Sequence, residues 1–251
     1  MLLSFLMAMG TAVRARAKRA IPYAAAPGAS LDVYAPVCAD GEAPVIVVAN
    51  LAGAPGGRRR LFRFVGQTLA SRGFIAVIPD IRGEGDRPTE ESLGDLAEAV
   101  AWAKDNCSRF GGDAGRLFLM GHAGGAHCMA MLALDPRWLA AVEMHPADLR
   151  GAVGVSGLYD ALPCGCPADH AGPDSPPMLL IAGQKDDIDP DNSSRLARAL
   201  RTVSGQVAEI RYPRLGDRLG LPGLFGLMRY RATALEEVER FVRLYSLGPG
   251  L

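Results

Sequence analysis

Short runs of consecutive apolar residues, with no polar alternation, recur along the chain from residue 44 onward. Such runs are typical of strands that are buried on both faces of a sheet. Two β-type runs precede them, at 21–23 and 31–34. Turn residues lie between these two runs, which indicates an antiparallel edge of the sheet. The pattern predicts buried strands at residues 44–49, 74–79, 117–120, 153–155, 178–181 and 209–212.

Segments with apolar residues at helical spacing lie between these strands. In one of them Leu96, Val100 and Ala103 fall on one helical face. The predicted helices span about 59–71, 95–104, 126–134, 192–203 and 232–245. Strands that alternate with helices form right-handed βαβ units. We therefore predict an α/β fold, a doubly wound and mainly parallel sheet with helices on both faces, whose ligands lie beyond the carboxyl ends of the strands.

Composition narrows the class of protein. The 251 residues are 49% hydrophobic, which provides a full-size core and indicates one globular domain. Lys and Arg together number 27 and Asp and Glu also number 27, so the chain has no net charge to attract nucleic acid. Five scattered cysteines argue against a disulfide framework and favour a reducing compartment, which predicts a cytoplasmic location.

The first 20 residues differ in composition from the rest of the chain. Met1 to Met9 are almost wholly apolar, and Arg14, Arg16, Lys18 and Arg19 follow them. A secretory signal has its basic residues before the apolar run, so this order is reversed. Two interpretations stay open, a first helix docked on the protein itself and an interfacial helix that contacts a membrane surface through residues 1–19. We accordingly divide the chain into an N-terminal segment, 1–20, and a single domain, 21–251.

The stretch from Phe110 to His127 resembles the nucleophile-elbow region of bacterial α/β-hydrolases, in the carboxylesterase group related to hormone-sensitive lipase and feruloyl esterases. The resemblance extends through residues 31–36, 69–80, 157–160 and 177–186, so it spans nearly all of the chain after residue 20. It implies the α/β-hydrolase fold and an ancestry in ester hydrolysis by a Ser–His–acid triad.

The triad that the resemblance implies is degenerate in this chain. The elbow motif, Gly-x-Ser-x-Gly, keeps Gly121 and Gly125 but has Ala123 at the serine position. The position of the general base is matched by Asp217, and the orienting acid by Asp186. All four histidines precede residue 171, so residues 171–251 supply no imidazole.

The oxyanion turn of the family, His-Gly-Gly, is matched here by Asn50, Leu51, Ala52 and Gly53. Backbone N–H groups do the binding in such a turn, so its side-chain changes matter less than the loss of the triad. The resemblance places Gly124 at a helix N-terminus, where its N–H can receive a carbonyl oxygen or an anion. His122 adjoins the elbow and is a further candidate to face a ligand.

Other chemistry has weaker support. Cys164 and Cys166, followed by Asp169 and His170, lack the paired spacing of a metal site. His127 and Cys128 fall on the predicted helix after the elbow and are interpreted as core residues. We therefore assign no metal and no cofactor.

The sequence thus predicts a protein of carboxylesterase ancestry that no longer hydrolyses esters by the family mechanism. It would bind a small acyl or anionic ligand, or a protein partner. The alternative is an active ester hydrolase with a rearranged site. Ala123 alone would also fit a substitution made to trap a substrate, but Asp217 and the altered turn at Asn50 argue against that origin.

Overall fold

The computed structural model describes most of the domain. The described residues are 15–26, 28–38, 42–49, 51, 62–83, 87–160, 162–184, 188–203, 205–213 and 234–247. The candidate residues Asn50, Ala52, Gly53, Asp186 and Asp217 lie outside them.

The described strands form one sheet of eight. They are β1 (Ala15–Pro22), β2 (Ser30–Pro36), β3 (Ala43–Ala49), β4 (Ile75–Pro79), β5 (Gly112–His122), β6 (Leu149–Val155), β7 (Met178–Gly183) and β8 (Val207–Tyr212). Their order across the sheet is β1-β2-β4-β3-β5-β6-β7-β8. β1 with β2, and β2 with β4, pair antiparallel, and every other neighbouring pair is parallel. The predicted sheet and its antiparallel edge are therefore confirmed.

Helices cover both faces of this sheet. They are α1 (Arg63–Ser71), α2 (Glu90–Asn106), α3 (Gly124–Leu134), α4 (Pro136–Ala140), α5 (Asp191–Thr202) and α6 (Ala234–Ser246). One core cluster takes its helical side chains from α2, α3, α4 and α5. The second cluster takes them from α1 and α6, including Leu69 and Val238. The strands between the two clusters are buried on both faces, which explains their unbroken apolar runs.

The N-terminal boundary differs from the prediction. β1 begins at Ala15 and so crosses the predicted division at residue 20, and Arg16, Lys18 and Arg19 lie on an edge strand rather than on a helix. The side chains of these three residues are exposed, so no apolar alternation marks the strand in the sequence. At Ala20 the register shifts and φ is 54°, and the Ala20 N–H donates to Asp32 Oδ1 at 2.9 Å.

Two further boundaries differ for local reasons. α2 begins at Glu90, five residues before the predicted start, because Thr89 and Ser92 form a reciprocal capping box. β5 begins at Gly112 and pairs there with Ala43, well before the apolar run that predicted it. Among the described helices, none combines the length and the hydropathy that crossing a bilayer requires.

Candidate functional site

The turn between β5 and α3 has a strained backbone at the position where the family has its nucleophile. Ala123 has φ 52° and ψ −122°, a conformation that residues with a Cβ rarely adopt. Its N–H donates to the Val155 carbonyl at 3.2 Å, and its own carbonyl accepts from the N–H groups of Ala126 and Leu158 at 3.1 and 3.3 Å. The elbow is therefore held in place although its side chain is a methyl group.

The two elbow glycines are required by close backbone contacts. A Cβ atom at Gly121 would lie 2.3 Å from the Gly125 carbonyl oxygen, and a Cβ atom at Gly125 would lie 2.3 Å from the Ala49 carbonyl oxygen. Atoms of these types do not approach so closely, so any larger residue would force the strand and the helix apart. The Gly-x-Ala-x-Gly spacing is thus the part of the motif that sets the shape of the turn.

The structure brings four of the candidate residues together at the carboxyl end of the sheet. Leu51 comes two residues after β3 and bridges Ile81 in parallel, whereas His122 ends β5, the neighbour of β3, and Ala123 and Gly124 follow it. Leu51 and Gly124 are buried, and His122 and Ala123 are half-buried. Because the first N–H groups of a helix have no partner within it, the buried start of α3 offers donors beside Ala123.

The other three histidines do not adjoin the elbow turn in sequence, and each has a partner of its own. His145 Nδ1 accepts from the Ala147 N–H at 3.1 Å, and His170 Nε2 lies 3.7 Å from a carboxylate oxygen of Asp135. His127 is fully buried, and its Nδ1 lies 3.0 Å from the Leu158 carbonyl. In the described residues, the imidazole next to the nucleophile position is therefore that of His122.

The partners of His127 fix its tautomer. A carbonyl accepts only, so Nδ1 carries the proton and donates to Leu158, and the unprotonated Nε2 lies 3.5 Å from the Cys164 sulfur. Burial lowers the pKa of His127 to about 4, because a charged imidazole would lose its hydration there. The pair connects α3 with the segment after β6, which fits the core role predicted for His127.

Protonation of His127 is expected to make stability pH-dependent. The imidazole has a pKa of 6.5 when unfolded and about 4 when folded, so below pH 6.5 protons bind the unfolded chain preferentially. Stability is full above pH 6.5 and falls as the pH drops to 4, by ~3 kcal/mol in total. Urea unfolding across this range, compared with His127→Gln, tests the prediction. Parallel pH profiles for the two proteins would contradict it.

The cysteines of the Cys-Gly-Cys sequence have separate surroundings. The Cys164 thiol is buried between His127 and the Pro88 carbonyl, which lies 3.6 Å away. The Cys166 sulfur lies 4.0 Å from the Tyr159 carbonyl. Burial raises the pKa of Cys164 above its ordinary value, so this thiol is held neutral. Within the described ranges no three His, Cys, Asp or Glu side chains converge as metal ligands.

A polar network after β6 contains residues that the sequence analysis did not single out. The Tyr159 N–H donates to Asn192 Oδ1 at 2.9 Å, and Asn192 Nδ2 donates to Asp160 at 3.0 Å. Arg195 bridges Asp160 and Asp189 at 2.7 and 3.2 Å. The network fixes the segment that donates to the Ala123 carbonyl. In the sequence, this network was indicated only by the resemblance at residues 157–160. That resemblance did not identify the residues on α5 that take part in the network.

Comparisons with known proteins agree with this geometry. The BD-FAE family model matches residues 31–143. A probable isoprenylcysteine alpha-carbonyl methylesterase of Arabidopsis thaliana is 32% identical over 147 residues, which cover 57% of this chain and 35% of that protein. A probable carboxylic ester hydrolase of Mycobacterium tuberculosis, LipM, is 26% identical over 237 residues, which cover 80% of this chain and 54% of that protein. The chain thus spans about a third to a half of the length of these relatives.

Solved structures show the same fold at low sequence identity. A truncated carbohydrate esterase from gut microbiota superposes with a TM-score of 0.78 at 15% identity, over 94% of this chain and 99% of that one. An esterase B from Lactobacillus rhamnosis, with a tributyrin phosphonate inhibitor, superposes with a TM-score of 0.78 at 16% identity, over 98% of this chain and 92% of that one. From the sheet, the elbow and these matches, we conclude that the chain has the α/β-hydrolase fold and that its sequence is similar to those of carboxylesterases.

Proposed function

We propose that this protein binds a small acyl or anionic ligand at the elbow and does not hydrolyse it. The observation that carries the proposal is the methyl group of Ala123 in an otherwise intact elbow. A methyl group has no lone pair to attack a carbonyl carbon, so the acyl-enzyme of the family mechanism has no nucleophile. Its neighbours in the turn, His122 and Gly124, supply no hydroxyl either.

The general base is missing as well. Residues 171–251 contain no histidine, and His127 is committed to Leu158 and Cys164 inside the core. A buried, neutral imidazole with both nitrogens occupied cannot take a proton from a substrate or from water at the elbow. Both members of the nucleophile–base pair are therefore lost. Of the three triad positions that the resemblance implies, only that of the acid, Asp186, has a matching residue.

Features that recognise a ligand remain. Gly124 begins α3, an 11-residue helix, and the positive end of its dipole points to the space beyond β5. An ester carbonyl or a carboxylate placed there would accept from the free N–H groups of the first turn. A cytoplasmic partner protein that presents a carboxylate at this edge would use the same donors.

A short-chain aryl ester assay is the first test of this function. We expect no saturable hydrolysis, because the residual acceleration of a site without its triad is only ~10³–10⁴-fold over water. The matching binding test measures the melting temperature in the presence of butyrate and of butyramide. Butyrate is expected to raise it more, since a carboxylate binds a helix N-terminus better than a neutral amide does.

The outcomes separate the two halves of the proposal. Saturable turnover above about one per second would overturn the loss of catalysis and favour the rearranged hydrolase, since this is within the ordinary range of enzymes. Equal shifts with butyrate and butyramide, or none, would overturn the anion site at the elbow.

A further inference from the structure

A second concave site lies at the opposite end of the sheet from the elbow. It is a groove of about 780 Å³. Its wall includes Cys38 after β2, Ala43 at the start of β3, Gly73 before β4, and Leu244 and Leu247 at the end of α6. Because the parallel strands begin here and end at the elbow, the groove is separate from the candidate ligand site.

Exposed apolar side chains concentrate around this groove. Among the described residues, the exposed large hydrophobic side chains are Val37, Leu244 and Leu247, which are 43%, 60% and 64% exposed. Leu244 and Leu247 line the groove, and Val37 precedes the lining residue Cys38. Soluble proteins rarely group such side chains without a partner, so the cluster indicates an interaction surface.

Outward-facing arginines surround the apolar residues. Arg240 and Arg243 line the groove and are 72% and 59% exposed, whereas Glu237 and Glu239, which pair with them, are each 22% exposed. Both arginine side chains are therefore more exposed than the carboxylates that they pair with, although Arg243 also donates to the Arg72 carbonyl and lies over the Phe74 ring. Glu42 is the acidic residue among those that line the groove.

Strand β1 begins beside this rim. Its first residue, Ala15, pairs with Pro36, the residue before Val37. Arg16 follows at once, and Lys18 and Arg19 lie further along this exposed edge strand, which runs from here toward the carboxyl end of the sheet. The apolar run of residues 1–9 precedes Ala15 in the sequence.

We propose that the amino-end surface, defined by Val37, Leu244, Leu247, Arg240 and Arg243, binds an anionic lipid bilayer. The apolar side chains would enter the interface, and the arginines would meet the phosphate and carboxylate groups of the lipid heads. A second copy of the chain is disfavoured, because a symmetric contact would bring like-charged arginines together. In this orientation the elbow faces away from the bilayer and stays accessible from the aqueous side.

Co-sedimentation with vesicles tests the proposal on the full chain. The vesicles contain phosphatidylcholine alone, or with about 30% phosphatidylserine, at about 50 mM and about 500 mM salt. We expect binding to the anionic vesicles, and a lower bound fraction in high salt, because salt screens only the electrostatic part. No binding to anionic vesicles in low salt would overturn the proposal.

Matched variants assign the binding to this surface. Leu244→Ser with Leu247→Ser is expected to reduce the bound fraction at least about fivefold at both salt concentrations, because it removes the apolar part. Arg240→Gln is expected to reduce binding in low salt only. Arg198→Gln, an exposed arginine on α5 across the sheet, is the control and should bind like the parent. Melting temperatures verify that all variants fold.

Two further results would overturn the assignment. If the leucine variant binds like the parent while Phe5→Ser with Leu6→Ser abolishes binding, the N-terminal run acts alone and this surface has no part. If the parent forms dimers by light scattering that the leucine variant loses, and neither binds vesicles, the occupant is a second copy.

Discussion

Changing Ala123 to Ser together with Asp217 to His is expected to create ester hydrolysis that neither change gives alone. A serine at the strained elbow needs an imidazole to take its proton, and an imidazole without the serine has nothing to activate. Effects within one nucleophile–base pair are strongly non-additive. We expect Ala123→Ser alone to stay near the background rate and the double variant to exceed it by about 10²-fold or more.

The assay is turnover of a short-chain aryl ester, with Asp217→His alone as the matched control. A covalent phosphonate inhibitor offers a second readout, because it labels only an activated serine. Equal activity of Ala123→Ser and the double variant would show that position 217 does not face the elbow. The alignment that places Asp217 at the base position would then be wrong.

Gly125→Ala is expected to lower the free energy of unfolding by about 3 kcal/mol or more, or to prevent folding. The added Cβ would lie 2.3 Å from the Ala49 carbonyl oxygen, a backbone atom, and the Cβ itself would be fixed by the backbone of residue 125. Neither β3 nor α3 can retreat without disturbing the core that packs around them.

Gly94→Ala is the control for this change. Gly94 lies inside α2, and no atom lies within 4 Å of the position its Cβ would take. Alanine there should raise stability by ~0.5–1 kcal/mol, because it favours helix more than glycine does. Urea unfolding followed by circular dichroism measures both variants. A Gly125→Ala protein as stable as the parent would refute the steric account of the elbow.

Most of the fold was predictable because the buried strands of a parallel sheet are visible in the sequence as apolar runs. The strands around Val47, Val77 and Leu180 have this pattern, and each was predicted within a few residues. The first part of β1, before residue 21, was missed because an edge strand is held by backbone hydrogen bonds, and its exposed Arg16, Lys18 and Arg19 show no apolar alternation. Ends of elements such as the start of α2 depended on a side-chain cap rather than on periodicity.

The candidate site was only partly predictable. Ala123, His122 and Gly124 lie at the turn between β5 and α3, where the sequence predicted a sharp turn, since an elbow is a continuous stretch of sequence. The network from Tyr159 through Asn192 to Asp160 joins segments about 30 residues apart, and no local pattern specifies such partners. The placements of Asp186 and Asp217 stay predictions.

The elbow has its shape from main-chain neighbours and not from the side chain at position 123. Gly121 and Gly125 clear the space, and the peptide groups of Val155 and Leu158 hold the turn from the other side. A lineage on this scaffold can therefore exchange serine for alanine, and back again, without evolving a new backbone. The fold indicates ancestry but does not distinguish an active enzyme from a binding protein. That distinction depends on a few individual side chains.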